Sequence, residues 1–425
     1  MDDPIKVADK LEAASILLDP ERRALSPKDQ EVFRHYYVSR PATGHEGLIQ
    51  RSKAAHVSGE HFHWFFSGHT GSGKSTELNR LMENRELTRS YVPLYIDITE
   101  GNPEKRIVEI DYAEVLWDMA VACVRAAEDL KCRFSKDLAD YIENWRKDVQ
   151  LERTVYTGTE GHAGLGLSAW FGSIREDIKS GGMKREITKQ ALYKDVSRFT
   201  HLINRIVKDL EKFFERKALC ILDGLDHVDV SPCKTLFTNY FLTLTRPILS
   251  KVFIVPLHLL NTDFRVTIEG IYSTLPNIRV FRTPGSSDLD ADGYGFYKDL
   301  IFRYAEEHLF TEEALKSLCE LSAGLLRDMI RYTGRACHFA NLDESADRVE
   351  MRHVESVWQE AMDFFHGILY RPDYETLEYI LRNPYPKGLD NVPNLIFRKA
   401  VVYYPNGLGW YGVHPAVQRL LKIFE

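Results

Sequence analysis

The stretch that decides the fold of this chain is Gly68-His69-Thr70-Gly71-Ser72-Gly73-Lys74-Ser75. It satisfies the pattern Gly-x4-Gly-Lys-Ser/Thr in full, and Thr76 follows it. Its glycines let backbone N–H groups turn inward around phosphate oxygens, and a helix that starts here points its positive end at the same anion. Lys74 is predicted to reach the β- and γ-phosphates, and the Ser75 hydroxyl to bind Mg²⁺. The stretch therefore predicts a phosphate-binding loop (P-loop) for a nucleoside triphosphate.

The segments on both sides of the P-loop fit this prediction. Residues 61–67 (HFHWFFS) form a short aromatic run before a glycine, which is typical of a buried strand. Residues 75–86 carry apolar side chains at helical spacing. A strand, the loop and an amphipathic helix in this order are the context that such a loop requires.

Further strand patterns alternate with helical patterns. They are predicted at residues 91–99, 218–223, 251–258 and 278–283. This alternation predicts an α/β fold, a five-stranded parallel sheet with helices on both faces. Glycines crowd between about residues 150 and 185, which predicts a surface insertion or a mobile loop within this core.

The chain divides into four predicted parts. Residues 1–45 form a lead-in that shows no catalytic constellation, and residues 46–284 form the P-loop core. Helical patterns alone follow Pro284, which predicts a helical lid over residues 285–370. Residues 371–425 show helix, helix, hairpin and helix, with Asn-Gly at positions 406–407 as the hairpin turn. This last order predicts a C-terminal winged helix.

A carboxylate on a second strand is expected beside the P-loop, because Mg²⁺ needs one. Asp223 ends the apolar run 218–223, and ligands of open α/β sheets gather at that end of a strand. We therefore assign Asp223 to the metal together with Ser75. Asp226 is the candidate base that orients or deprotonates the attacking water, and its alternative role is the N-cap of the next helix.

The composition narrows the class of protein. The chain is 44% hydrophobic and 28% charged, as a folded protein is, and its formal charge of −7 gives no general case for nucleic-acid binding. The acidic start lacks a signal-peptide pattern, and no apolar run is long enough to span a bilayer. Six scattered cysteines are typical of reduced thiols, so we expect a cytoplasmic protein without membrane contact.

The runs 66–78 (FSGHTGSGKSTEL) and 222–226 (LDGLD) together resemble the STAND class of P-loop ATPases within the AAA+ group, especially its NACHT and KAP branches. The resemblance implies an ATP- and Mg²⁺-dependent signalling switch, and several members of the class act in bacterial immunity against phage. It also implies a homo-oligomer. Because no nuclease, protease or sensor-repeat pattern is present, a separate effector or sensor protein is expected as the partner.

The resemblance also suggests roles for three further residues. The run 322–328 (SAGLLRD) is similar to the second sensor, so Arg327 is expected at the γ-phosphate; the alternative is a surface arginine paired with the next aspartate. His258, after the fourth predicted strand, is a candidate first sensor. The run 412–415 (GVHP) resembles a Met-His-Asp motif, so His414 would contact the nucleotide; the alternative is a packing residue at a helix start.

The leading hypothesis is a nucleotide-controlled switch with slow turnover, because Gly224 stands where a glutamate would complete an Asp-Glu pair. A second hypothesis is a DNA-acting AAA+ ATPase of initiator or loader type. Its candidate recognition helix carries only Arg398 and Lys399 as cations. A small-molecule kinase is a third. Arg303 is a candidate arginine finger for a neighbouring subunit.

Overall fold

The structure is a computed structural model of the whole chain. The residues it describes are 6–19, 25–26, 28–100, 107–157, 166–179, 185–186, 189–190, 193, 196–261, 264, 270–283, 288–385, 389–405 and 409–424.

The chain forms two compact units. The first unit consists of Met1–His45, Gly68–Glu83 and Thr274–Glu425, so it holds the P-loop together with the lead-in and the C-terminal part. The second unit consists of Glu46–Ser67 and Asn84–Ser273 and holds the main sheet.

The described strands form a five-stranded sheet of order β2-β3-β4-β1-β5 and a separate two-stranded sheet. The strand bounds are β1 His63–Gly68, β2 Tyr91–Asp97, β3 Lys217–Asp223, β4 Ser250–Pro256, β5 Ile271–Thr274, β6 Val401–Tyr404 and β7 Trp410–Val413. β2, β3 and β4 pair in parallel, and the register sets Asp97 beside Asp223. The predicted parallel α/β core is confirmed.

The helices follow the predicted alternation with the strands. Their bounds are α1 Leu11–Leu17, α2 Gln30–Tyr36, α3 Glu46–Ser58, α4 Lys74–Met82, α5 Arg85–Thr88, α6 Tyr112–Asp129, α7 Lys136–Thr157, α8 Leu167–Lys179, α9 Val196–Phe214, α10 Val230–Asn239, α11 Phe241–Thr245, α12 Ala291–Phe302, α13 Glu312–Leu321, α14 Leu326–Leu342, α15 Met351–Ile368, α16 Arg371–Arg382, α17 Val392–Phe397 and α18 Pro415–Phe424.

The fifth strand differs from the prediction. Residues 271–274 form β5, whereas the predicted strand 278–283 folds back on the start of α12. Phe281 forms an isolated bridge with Leu289, and the carbonyl of Val280 accepts from the N–H of Asp290 at 2.7 Å. Ile278 and Val280 are buried although their segment is not a strand of the sheet.

The glycine-rich segment also differs from the prediction. α7 extends to Thr157, and α8 places Trp170 and Phe171 in the core of the second unit with no exposed surface. The ring of Trp170 lies 6.0 Å from that of Trp117 and 5.7 Å from that of Trp145. Most of the glycines that suggested a loop, at positions 158, 161, 164, 181 and 182, lie outside the described residues. The described helix between them, α8, buries its apolar face in the core, so this part is not a surface insertion.

The C-terminal part has the predicted order of elements: α16, α17, the hairpin β6–β7 and α18. The strands β6 and β7 are antiparallel, with Tyr403 opposite Tyr411. The predicted turn at 406–407 lies outside the described residues. Among the described helices, none combines the length and the apolar character that crossing a membrane would require.

Candidate nucleotide site

The P-loop connects the end of β1 to the start of α4. Gly71 and Gly73 have φ values of 85° and 93°, a region that side chains with a Cβ rarely adopt. The N–H of Ser72 bonds to the carbonyl of His69 at 3.0 Å, which closes the loop into a tight turn. Ser75 and Thr76 lie in the first turn of α4, where free N–H groups and the helix dipole favour an anion.

Lys74 is buried, with 4% of its surface exposed. Its ammonium donates to the carbonyls of Gly68 and His69, both at 2.9 Å. The predicted phosphate-binding cation therefore lies against the backbone of the P-loop itself. The predicted role adds phosphate oxygens to the acceptors of this ammonium, which carries three N–H donors.

Arg327 lies directly against the P-loop. Its N–H donates to the carbonyl of Gly71 at 3.0 Å, and a Cβ placed on Gly71 would come within 2.8 Å of the Cβ of Arg327. Gly71 is therefore needed both for its φ and for this close approach. The first turn of α14 is therefore in direct contact with the P-loop. The prediction that Arg327 acts as a sensor requires this contact.

Arg40 is a P-loop contact that the sequence did not reveal, because it belongs to the lead-in. Its guanidinium is buried and donates to the carbonyl of Ser72 in the P-loop and to the carbonyl of Pro276. Burial lowers the pKa of Arg40 below its usual value, although the nearby Glu77 carboxylate acts in the opposite direction. The lead-in therefore brings a buried cation to the P-loop, a contact that no pattern in the sequence predicted.

A second missed group from the lead-in is Tyr37. Its hydroxyl donates to Oε1 of Glu77 at 3.0 Å, and Arg80 contacts both Tyr37 and Glu77. Glu77 is 1% exposed and lies on α4, one turn after Lys74. The only sequence signal for this cluster was the acidic residue in an otherwise apolar face of α4.

His69, the second residue of the P-loop, is 3% exposed. Its Nε2 accepts from the N–H of Tyr403 in β6 at 2.8 Å, so its Nδ1 carries the proton. Burial, together with Lys74 and Lys399, lowers the pKa of His69 to about 3, and Asp328 acts in the opposite direction. A neutral imidazole thus joins the P-loop to the C-terminal hairpin.

Asp223, in the second unit, lies at the carboxyl end of β3 and is 5% exposed. Its Oδ2 accepts from the hydroxyl of Tyr95 at 2.8 Å, and its Oδ1 accepts from the N–H of Gly224 at 2.8 Å. Burial and the Asp223 carboxylate raise the pKa of Tyr95, which therefore stays protonated as a donor. Both oxygens are held in place, as a preformed metal ligand requires.

Asp97 is a further carboxylate at this edge of the sheet that the sequence reasoning missed. Its Oδ1 accepts from the N–H and the hydroxyl of Thr99 at 2.8 and 2.7 Å. In the sequence Asp97 stands two residues before the end of the predicted strand 91–99, whereas β2 itself ends at Asp97.

Asp226 lies in a short 3-10 turn, Leu225–His227, and is 4% exposed. The residue at the N-cap of α10 is Asp229, so the alternative role of Asp226 as that cap does not apply. The role of Asp226 as a base stays a prediction.

His414 is 1% exposed and lies at the start of α18. Its Nδ1 accepts from the N–H of Ala416 at 3.2 Å, and its ring lies 4.7 Å from that of Phe365. Burial lowers the pKa of His414 to about 3, while Asp328 acts in the opposite direction. These contacts are those of a packed helix-start residue, and its role toward the nucleotide stays a prediction.

Asp328 follows Arg327 and connects α14 to the segment just before β6. Its carboxylate pairs with Lys399 at 3.1 Å and with Arg331 at 2.9 Å. Burial raises the pKa of Asp328, but Lys399 and Arg331 outweigh this effect and lower it. The carboxylate that the alternative reading paired with Arg327 is therefore held by other cations.

His258 and Arg303 are the two remaining candidates from the sequence. His258 lies in the 3-10 turn Leu257–Asn261 after β4, and burial lowers its pKa to about 4. Arg303 donates to the carbonyl of His35 at 3.1 Å, and the imidazole of His35 bonds back to the carbonyl of Arg303 at 3.0 Å. Arg303 is thus held by its own chain.

Comparisons with known proteins give similarity of fold only. No family model and no curated protein matches the chain. A Walker-type ATPase of Pyrococcus abyssi aligns over 96% of this chain and 99% of its own, with 13% identity and a TM-score of 0.43. Cdc6p from Pyrobaculum aerophilum aligns over 93% and 98%, with 13% identity and a TM-score of 0.39.

A third solved structure is a STAND protein with a tetratricopeptide repeat sensor from Pyrococcus horikoshii. It aligns over 92% of this chain and 43% of its own, with 12% identity and a TM-score of 0.25. At these identities and TM-scores, the function has to be inferred from the residues of this chain.

Proposed function

We propose that this protein is a nucleotide-controlled switch that binds ATP with Mg²⁺ at the P-loop and hydrolyses it slowly. The observation that carries the proposal is the contact between the P-loop and α14, where the N–H of Arg327 donates to the carbonyl of Gly71 at 3.0 Å. A nucleotide phosphate bound in this loop lies next to residues from distant parts of the chain. Its binding therefore changes how those residues pack against the loop.

The metal is assigned to the Ser75 hydroxyl and the Asp223 carboxylate. When bound, Mg²⁺ neutralises charge on the phosphates. Tyr95 and the N–H of Gly224 orient the Asp223 carboxylate for this role. Asp226 is the assigned base, and the glycine at position 224 leaves no second carboxylate next to Asp223, which supports slow turnover.

The C-terminal part acts as a winged helix that responds to the nucleotide, and the protein works as a homo-oligomer with a separate effector or sensor. The resemblance to STAND ATPases in residues 66–78 and 222–226 extends this to signalling in defence against phage. Arg327 and His414 are the proposed sensors within the chain.

The proposal that the protein acts on DNA is less well supported. The two cations of the candidate recognition helix are both paired: Arg398 lies 3.0 Å from Asp373, and Lys399 lies 3.1 Å from Asp328. Cations held by carboxylates are less available for phosphates of DNA. Salt-sensitive DNA binding that stimulates hydrolysis would favour this alternative over the switch.

The test combines two measurements on the purified protein. Bound nucleotide is extracted and identified by mass spectrometry, and the particle mass is measured with and without ATP and Mg²⁺. We expect a co-purified adenine nucleotide or a change of assembly on adding ATP, and the Lys74→Ala variant should show neither. A nucleotide-free particle that does not respond to ATP, GTP or their diphosphates would overturn the proposal.

A further inference from the structure

Both backbone polar groups of Tyr403, in β6, form hydrogen bonds with residues outside the hairpin. Its N–H donates to Nε2 of His69 at 2.8 Å, and its carbonyl accepts from Nδ2 of Asn277 at 3.0 Å. Tyr411, opposite Tyr403, bonds instead to the carbonyl of Pro384. The free edge of β6 is thus satisfied by a P-loop side chain and by a residue shortly after β5.

The same hairpin is fixed to the turn that precedes Arg327. The hydroxyl of Tyr404 donates to the carbonyl of Ala323 at 2.7 Å. Ala323 and Gly324 have φ values of 50° and 82°, so this turn is held in a conformation that a few contacts must maintain. Val402, Tyr404 and Trp410 form one buried cluster with Ala323 and Leu325. The hairpin therefore contacts both the P-loop and the start of α14.

Lys74 connects these contacts to the predicted phosphate position. Its ammonium donates to the carbonyl of His69 at 2.9 Å while the ring of His69 holds Tyr403. A phosphate oxygen that competed with the carbonyl of His69 for the Lys74 ammonium would weaken a restraint on the backbone of His69. The residue that loses this restraint is the one that holds the edge of the hairpin.

We propose that His69 is a positioning residue that couples nucleotide binding to the docking of the C-terminal hairpin (β6 and β7). The inference rests on the proposed nucleotide binding and specifies how it is transmitted. Phosphate binding weakens the bond from Tyr403 to His69 and loosens the hairpin. By thermodynamic reciprocity, a loosened hairpin increases the affinity for nucleotide by the same factor.

Hydrogen exchange tests the first direction. In the wild type we expect amide exchange in residues 401–404 to become about threefold faster or more when ADP, or ATP with Mg²⁺, is added. In His69→Leu this exchange is already fast without nucleotide and does not change on addition. His69→Gln, whose amide oxygen can accept the same N–H, restores part of the response. Unchanged or slower exchange in the nucleotide-bound wild type would overturn the inference.

A double-mutant cycle tests the reverse direction. Asn277→Leu removes the second bond to Tyr403 and leaves the sequence of the P-loop unchanged, and we expect it to tighten ADP binding about threefold to tenfold. The same substitution in the His69→Leu background leaves the affinity unchanged, because the connection is already broken. The matched control is Gln418→Leu, which removes a bond to the carbonyl of Val413 at 2.7 Å in the same hairpin. It should not change the affinity in either background.

The outcomes separate this inference from the proposed function. A wild type that binds neither ADP nor ATP would overturn the proposed function, and the coupling with it. The coupling alone would be overturned by a second result. In that result the wild type binds nucleotide, Asn277→Leu binds it with the same affinity, and amide exchange is the same with and without nucleotide. Thermal unfolding of each variant identifies a change that results from misfolding. If His69→Leu is misfolded, the His69→Gln variant is used for the test instead.

Discussion

At the scale of single residues, the P-loop is held by its own lysine and by an arginine from the lead-in. Lys74 binds the carbonyls of Gly68 and His69, and Arg40 binds the carbonyl of Ser72. Both cations are buried, so their charge is weakly screened by solvent. The loop is therefore positive before any phosphate arrives, and its shape depends on the lead-in.

Replacing Arg40 with methionine is expected to weaken nucleotide binding about tenfold or more, because a buried charged hydrogen bond to the P-loop is lost. Calorimetric titration with ADP measures the effect. The exposed Arg89 provides the matched control, since Arg89→Met removes the same charge elsewhere. Equal affinity of the Arg40 variant and the control would show that Arg40 does not position the loop.

Replacing Asp223 with asparagine is expected to remove the Mg²⁺ dependence of nucleotide binding and to abolish hydrolysis. The amide oxygen can still accept from Tyr95 or Gly224, so the strand end keeps its shape, but the ligand loses its charge. Phosphate release and nucleotide titrations with and without Mg²⁺ give the two readouts. Persistence of Mg²⁺-stimulated hydrolysis in this variant would remove Asp223 from the metal site.

At the scale of secondary-structure elements, α8 shows how a segment with a loop-like composition becomes part of the core. Trp170, Ile174 and Ile178 recur every four residues and are fully or almost fully buried. Arg175 adds a buried contact to Asp118 at 2.5 Å and donates to the carbonyl of Asp97 at 2.6 Å. The helix therefore packs on α6 and reaches the carboxyl end of β2.

Truncating Trp170 to alanine is expected to lower the free energy of unfolding by about 3 to 5 kcal/mol, the usual cost of removing a large buried aromatic side chain. Denaturant unfolding of the two proteins measures the difference. Phe213, which is 50% exposed at the end of α9, is the control. Its alanine variant should cost less than about 1 kcal/mol, and a similarly small cost at Trp170 would contradict the burial of α8.

At the scale of the whole molecule, buried neutral histidines make the first unit sensitive to acid. His69 faces Lys74, Lys399 and Asp328. His414 faces Asp328, Lys399 and Arg331. Burial is the largest cause that lowers the pKa of both histidines, to about 3 in each case. Protonation of either ring also removes the nitrogen acceptor that its native hydrogen bond uses.

We therefore expect stability to be fully present above the usual histidine pKa of about 6.5 and to fall as the pH drops toward 3. In this window the unfolded chain takes up protons that the folded chain does not bind. Each histidine contributes a slope of up to about 1.4 kcal/mol per pH unit. Thermal unfolding at a series of pH values measures the slope. His69→Gln should make it shallower, and an identical slope in that variant would exclude a contribution from His69.

The P-loop, the carboxylate at the end of β3 and the class of the fold could all be predicted from the sequence. They depend on patterns that are local: glycines at fixed spacing before Lys74, and apolar runs that end at Asp223. Each such pattern determines its own stretch of backbone, because turns and strands form from neighbouring residues. The same local reasoning failed for 278–283, where the segment bridges to Leu289 instead of joining the sheet.

Only the tertiary structure decided which distant groups meet at the P-loop. His69 and Tyr403 are 334 residues apart, and Arg40 is 32 residues from Ser72. In both pairs one partner is a backbone group, which every residue carries and which therefore leaves no signature in the sequence. The sequence by itself determined that a phosphate loop exists, since its chemistry lies within Gly68 to Ser75. What that loop is attached to followed from packing, because burial brings together groups whose types do not reveal that they meet.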